Sequence, residues 1–75
     1  MPSMKHFRKR LAAEMRRRRG ELTEREFARK LGITKATLHR IENKETNVTL
    51  DVLDRICSRL KCEIGELFPP VEKQG

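Results

Sequence analysis

The sequence predicts an all-α fold, a compact five-helix bundle, on three observations. Apolar residues recur at intervals of three and four through most of the chain, the spacing that lines one face of a helix. Three threonines, Thr23, Thr34 and Thr49, stand directly before such runs, where a hydroxyl can cap the free N–H groups of a helix start. No segment alternates apolar and polar residues as a half-buried strand does.

Residues 1–4 read as a flexible start. The first helix spans 5–19, with Phe7, Leu11 and Met15 on one face and Ala12 beside them. Gly20 stops it behind four arginines that suit a helix C-terminus. The second helix follows Thr23, which forms a T-x-x-E capping box with Glu26 and has Leu22 as its hydrophobic staple. It turns Phe27, Ala28 and Leu31 inward and ends at Gly32, which is free to take the positive φ of a tight turn. Thr34 caps a third helix over 35–43, with Leu38 and Ile41 inward and Lys35, Ala36, Thr37, His39 and Arg40 on the other face. A polar loop over 44–48 leads to a fourth helix over 50–60, where Leu50, Leu53, Ile56, Cys57 and Leu60 are spaced for burial. A short fifth helix over 63–68 carries Ile64, Leu67 and Phe68, and Pro69 and Pro70 stop it. Residues 5–68 thus read as one domain, followed by a tail over 69–75.

Composition narrows the function. The 75 residues carry a net charge of +7, and 39% of them are charged. The balance is +9 over residues 1–44 and −2 over 45–75. One basic face implies an anionic partner, nucleic acid before membrane. The first helix is a basic amphipathic one, but its apolar face is thin and lacks Trp, which argues against a membrane surface. No apolar run suits a signal peptide or a span, which with a basic face predicts a cytoplasmic protein. Cys57 and Cys62 have no partners at metal-ligand spacing and read as small reduced core residues. No metal or other cofactor is implied. No spacing suggests a triad, a carboxylate pair or a phosphate loop, so the chain is not read as an enzyme.

The stretch 22–43, LTEREFARKLGITKATLHRIEN, carries the functional signal. A small residue at Ala28 lets two helices cross closely, Gly32 makes the turn, and Ile33, Leu38 and Ile41 glue the helices at a steep angle. The third helix is left projecting with its polar face outward, and such a helix fits the major groove of B-DNA.

The motifs MRRRRG, LTxxxFAxKLGIT and TLxRIEN, followed by TLDVLDRICSRLKCEIGELF, resemble the Xre/Cro-type helix-turn-helix family of the phage lambda and 434 repressors. The likeness runs from about Phe7 to Phe68 and is similar to a compact stand-alone subgroup. It implies a phage-repressor-like fold and a sequence-specific transcriptional regulator, a repressor by default, on double-stranded DNA. It also implies a bacterial or phage origin and a place on the nucleoid when bound. By resemblance, Thr34, Lys35, Ala36 and Arg40 reach bases, and His39 either joins them or stands exposed and idle. Thr23, Thr37, Asn43 and Lys44 hold phosphates, with Arg10 and Arg17 adding attraction. Arg16 and Glu42 match a partly buried structural ion pair. Phe7, Phe27 and Phe68 read as core. A homodimer is implied by the need for two half-sites, with Leu67, Phe68 and Val71 as dimer candidates or merely a cover for the core.

Four departures from the family pattern stand out. Glu21 is an extra residue before the second helix, and Glu24 takes the place of a phosphate-binding Gln. Lys44 and Lys61 replace glycines. Two other readings stay open: an antitoxin-type DNA-binding protein with a toxin partner, and a protein- or RNA-interaction module on the same fold.

Overall fold

The 16-residue run MKHFRKRLAAEMRRRR forms helix α1, Met4–Arg19, with Leu11, Ala12 and Met15 buried along one side. In this computed structural model, residues 4–45 and 48–69 are described. Helix α2, Glu24–Leu31, starts on the expected capping box. Thr23 accepts the Glu26 N–H at 3.1 Å, and Glu26 accepts the Thr23 N–H at 2.9 Å. Thr34 caps α3, Lys35–Glu42, and Thr49 caps α4, Leu50–Leu60. Each hydroxyl takes the third N–H of its helix, one of the donors that a helix start leaves unpaired.

The fifth expected helix is corrected. Residues Ile64–Leu67 form one 3₁₀ turn, so the described residues hold four α-helices, that turn and no strand. The bonds are Glu66 N–H to the Glu63 carbonyl at 2.9 Å and Phe68 N–H to the Gly65 carbonyl at 3.2 Å. Gly65 weakens this short segment, and Pro69 and Pro70 leave no room to propagate it.

Leu11, Met15, Phe27, Ala28, Leu31, Leu38, Ile41, Leu53, Ile56 and Leu67 form the core, with Ile33, Val52, Cys57, Leu60 and Phe68 packed against it. Three apolar residues expected inside are at the surface. Leu50, in the first turn of α4, is 77% exposed, and Ile64 and Phe7 are also exposed. Phe7 lies edge-on to the Phe68 ring with centroids 6.0 Å apart. Cys57 and Cys62 are free and half-buried. Burial pushes the Cys57 thiol up to about 11, with the neighbouring Cys62 adding to the shift, so it stays protonated and packs as a small apolar group.

All four helices end at a residue with positive φ: Gly20 (56°), Gly32 (76°), Lys44 (59°) and Lys61 (55°). The two lysines that replace expected glycines therefore hold the left-handed conformation that glycine takes freely. At α3 the Glu45 N–H bonds the Arg40 carbonyl at 2.8 Å, and the Lys44 N–H bonds the Ile41 carbonyl at 3.1 Å. The turn keeps its Schellman bonds and bears the backbone strain.

Candidate nucleic-acid interface

Helix α3 divides cleanly. Leu38, Ile41 and Glu42 are buried, while Lys35, Ala36, His39 and Arg40 are exposed. Lys35, Ala36 and His39 line a shallow depression with Glu24 of α2. Four of the five expected base-reading residues thus share one open face, with a cation at each end and a methyl between. That set can offer donors to guanine and an apolar contact to thymine.

Thr34 is placed differently. Its hydroxyl accepts the Thr37 N–H at 3.0 Å and donates to the Thr37 hydroxyl at 2.8 Å. The two hydroxyls thus share one hydrogen bond within the protein, and one O–H of the pair is left to give outward, as a phosphate contact requires.

At the far end of α3, Asn43 caps the helix and its amide donates to the His39 carbonyl at 2.7 Å. Lys44 follows it, exposed. Thr23 is exposed at the start of α2. Thr23, Asn43 and Lys44 flank the face at helix ends, where their polar side chains and the Lys44 cation can meet phosphate.

Arg10 and Arg17 are not brought to this face. Arg10 lies over the Phe7 ring, 5.8 Å from its centroid. Arg17 bonds Glu14 at 2.6 and 3.0 Å. They lie on the α1 stripe shared with Phe7 and Glu14, whereas α1 meets α3 through Arg16 and Arg19. Glu14 was not anticipated. It is a buried carboxylate gripped by Arg17 and Arg18, with Arg18 also near Glu66. Burial alone raises its carboxyl, but the bonds and charges of Arg17 and Arg18 outweigh that and hold it below its usual value.

The expected Arg16–Glu42 ion pair is also corrected. The Glu42 carboxylate is held by Arg19, Nε at 2.9 Å and Nη2 at 3.0 Å. Arg16 donates instead to the Glu42 backbone carbonyl at 2.8 Å. Both arginines face α3 three residues apart, so the wheel admits either. The fork of Arg19 matches the carboxylate, and Arg16 closes an open carbonyl at the end of α3.

Glu24, the departure at a phosphate-contact position, has an internal partner. His39 Nδ1 lies 3.2 Å from its carboxylate. Partial burial would raise this carboxyl, but the His39 bond and charge, joined by Glu42 and Arg19, lower it. Of the three dimer candidates, Leu67 is fully buried and cannot touch a partner, Phe68 is half-exposed, and Val71 lies outside the described residues. Phe7, Leu50, Ile64 and Phe68 instead border one apolar groove.

No helix among the described residues is long and apolar enough to cross a membrane, and no group of His, Cys, Asp and Glu among them is placed to hold a metal.

Comparison with known proteins agrees with this geometry. Residues 10–73 match the model of the Cro/C1-type HTH DNA-binding domain, and the chain belongs to that family. It is similar in structure to a hypothetical transcription factor, NHTF, from Neisseria. The TM-score is 0.76 at 25% identity, covering 95% of this chain and 84% of that one. No curated protein matches it in sequence.

Proposed function

From membership of the Cro/C1-type family, we propose that the chain is a sequence-specific transcriptional repressor that reads the major groove with α3. The observation that carries this reading is the division of α3. Its buried side is spent on Leu38 and Ile41, and its free side presents Lys35, Ala36, His39 and Arg40 together. Lys35 and Arg40 read guanine, Ala36 meets a thymine methyl, and Thr37, Thr23, Asn43 and Lys44 hold phosphates. The pairing of Glu24 with His39 offsets the carboxylate that otherwise speaks against a DNA face.

One recognition helix spans too few base pairs for a unique address, so the working form is a homodimer on two half-sites about 34 Å apart. The exposed apolar residues Phe7, Leu50 and Ile64, with the half-exposed Phe68, form its contact. Bound across a promoter, such a dimer blocks polymerase without further machinery.

The test is selection from random duplex DNA followed by titration across salt. Palindromic selected sites and a steep loss of affinity with salt are expected. Lys35→Ala and Arg40→Ala should each cost about 1–3 kcal/mol at the selected site and relax the base preference at one position. Equal binding to every sequence overturns the assignment.

A further inference from the structure

Helix α2 ends in a complete Schellman turn. The Ile33 N–H bonds the Ala28 carbonyl at 3.0 Å, and the Gly32 N–H bonds the Arg29 carbonyl at 3.1 Å. That leaves the carbonyls of Lys30, Leu31 and Gly32 without helical partners. Two of the three are taken from α4. Arg59 Nη1 donates to the Lys30 carbonyl at 3.4 Å, and Arg55 Nη1 donates to the Gly32 carbonyl at 3.2 Å.

The two arginines are four residues apart on one face of α4, and their charges stand at the negative end of α2. Gly32 lets them in. A Cβ there would lie 3.0 Å from Cζ and Nη2 of Arg59 and 3.3 Å from Cδ of Arg55. The glycine thus serves two ends at once, the positive φ of the turn and the close approach of a guanidinium. Gly32 stands two residues before Thr34, the cap of α3, so whatever fixes its peptide plane fixes the start of the recognition helix.

We propose that Arg55 and Arg59 are positioning residues for DNA recognition, holding the turn between α2 and α3 by its carbonyls so that α3 meets the groove at one angle. This rests on the regulator reading above. Both side chains are exposed cations beside the basic face, so direct phosphate contact is the rival role, and the two roles leave different traces. A phosphate contact acts on all DNA alike and steepens the salt dependence. A positioning contact acts on discrimination and leaves the salt dependence alone.

The experiment uses Arg55→Ala, Arg59→Ala and the double variant, with cooperative thermal unfolding confirming the fold of each. Amide hydrogen exchange is followed at residues 33–35 in the free protein, and affinity is followed for a selected site and for random duplex across salt. The double variant should exchange faster at the turn. It should lose about tenfold in specific affinity, the scale of one charge-assisted hydrogen bond, and far less on random DNA, with an unchanged salt slope. Parallel loss on both DNAs with the slope shallower by about 0.9 per arginine makes them phosphate contacts and overturns the proposal. Unchanged exchange at the turn overturns it as well. If the parent chain shows no sequence preference, the regulator reading fails by itself, and the exchange result still decides whether the tie exists.

Discussion

Replacing Arg19 with alanine tests the reassigned ion pair. The Glu42 side chain is 3% exposed and its carboxylate takes both bonds from Arg19, whose own side chain is 26% exposed. Removing one partner of a buried pair costs about 3–5 kcal/mol, because the remaining charge is stranded rather than because the pair itself is strong. Arg19 is near the surface, so its departure admits water, and about 2–3 kcal/mol is the better expectation. For a domain of this size that lowers the melting temperature by roughly 10–20 °C. Arg16→Ala removes only a bond from an exposed side chain to a carbonyl and should cost about 1 kcal/mol. Urea unfolding at pH 7 separates the two, with Arg19→Ala/Glu42→Gln as the control, since an amide is cheaper to bury than an unpaired carboxylate and should recover part of the loss. If Arg16→Ala costs more than Arg19→Ala, or the double variant recovers nothing, the assignment of the carboxylate to Arg19 is wrong.

Three further outcomes follow from the same geometry. Lys61→Gly should stabilise the fold by about 0.5–1 kcal/mol, because Lys61 is exposed at φ 55°, where a non-glycine residue costs about 1–2 kcal/mol and glycine's greater freedom in the unfolded chain returns about 0.5–1 kcal/mol of that; an unchanged or lower urea midpoint would contradict the strain argument. Glu14 and Glu24 are both held below the usual value of 4.5, so the folded chain binds fewer protons there than the unfolded one. Their contribution is complete above that value and is lost as pH falls through the folded values; Glu14→Gln should flatten the acid limb of a stability–pH curve, and a parallel curve would deny Glu14 that role. Glu24→Gln removes a carboxylate beside the recognition face and should tighten DNA binding about fivefold at low salt, the worth of one unit charge at contact distance in water. The gain should fade at high salt, and weaker binding would mean that Glu24 serves recognition through His39.

The fold was legible where local rules decide it. Each threonine cap predicted from sequence is a cap in the structure, because a hydroxyl three residues before a free N–H satisfies it without help from distant parts of the chain. The fifth helix was misjudged for the converse reason. Apolar spacing over six residues does not distinguish an α-helix from a single 3₁₀ turn, and the length between Glu63 and two prolines decides. Leu50 fits the apolar pattern of α4 but stands at its first turn, on the wall of an open groove that no side chain fills, and stays 77% exposed. Periodicity identifies a face of a helix, and it cannot say how far along the helix a partner extends.

The site divides along the same line. The outward set on α3 follows from a 3.6-residue period once Leu38 and Ile41 are placed inside, so Lys35, Ala36, His39 and Arg40 could be named from sequence. Pairings between helices could not be. Arg16 and Arg19 both face α3, and only the three-dimensional reach of each guanidinium assigns Arg19 to the carboxylate. Arg10 and Arg17 belong to a run of cations whose sequence says nothing about which sides turn toward DNA. Glu14 did leave a trace, since arginines three and four residues later are the spacing of helical ion pairs. Arg55 and Arg59 left a fainter one, two cations four apart, whose meaning depends on the bare α-carbon of Gly32, 23 and 27 residues earlier. What a residue offers to DNA is thus written in its own helix. What holds that helix in place is written in pairs of residues that only folding brings together.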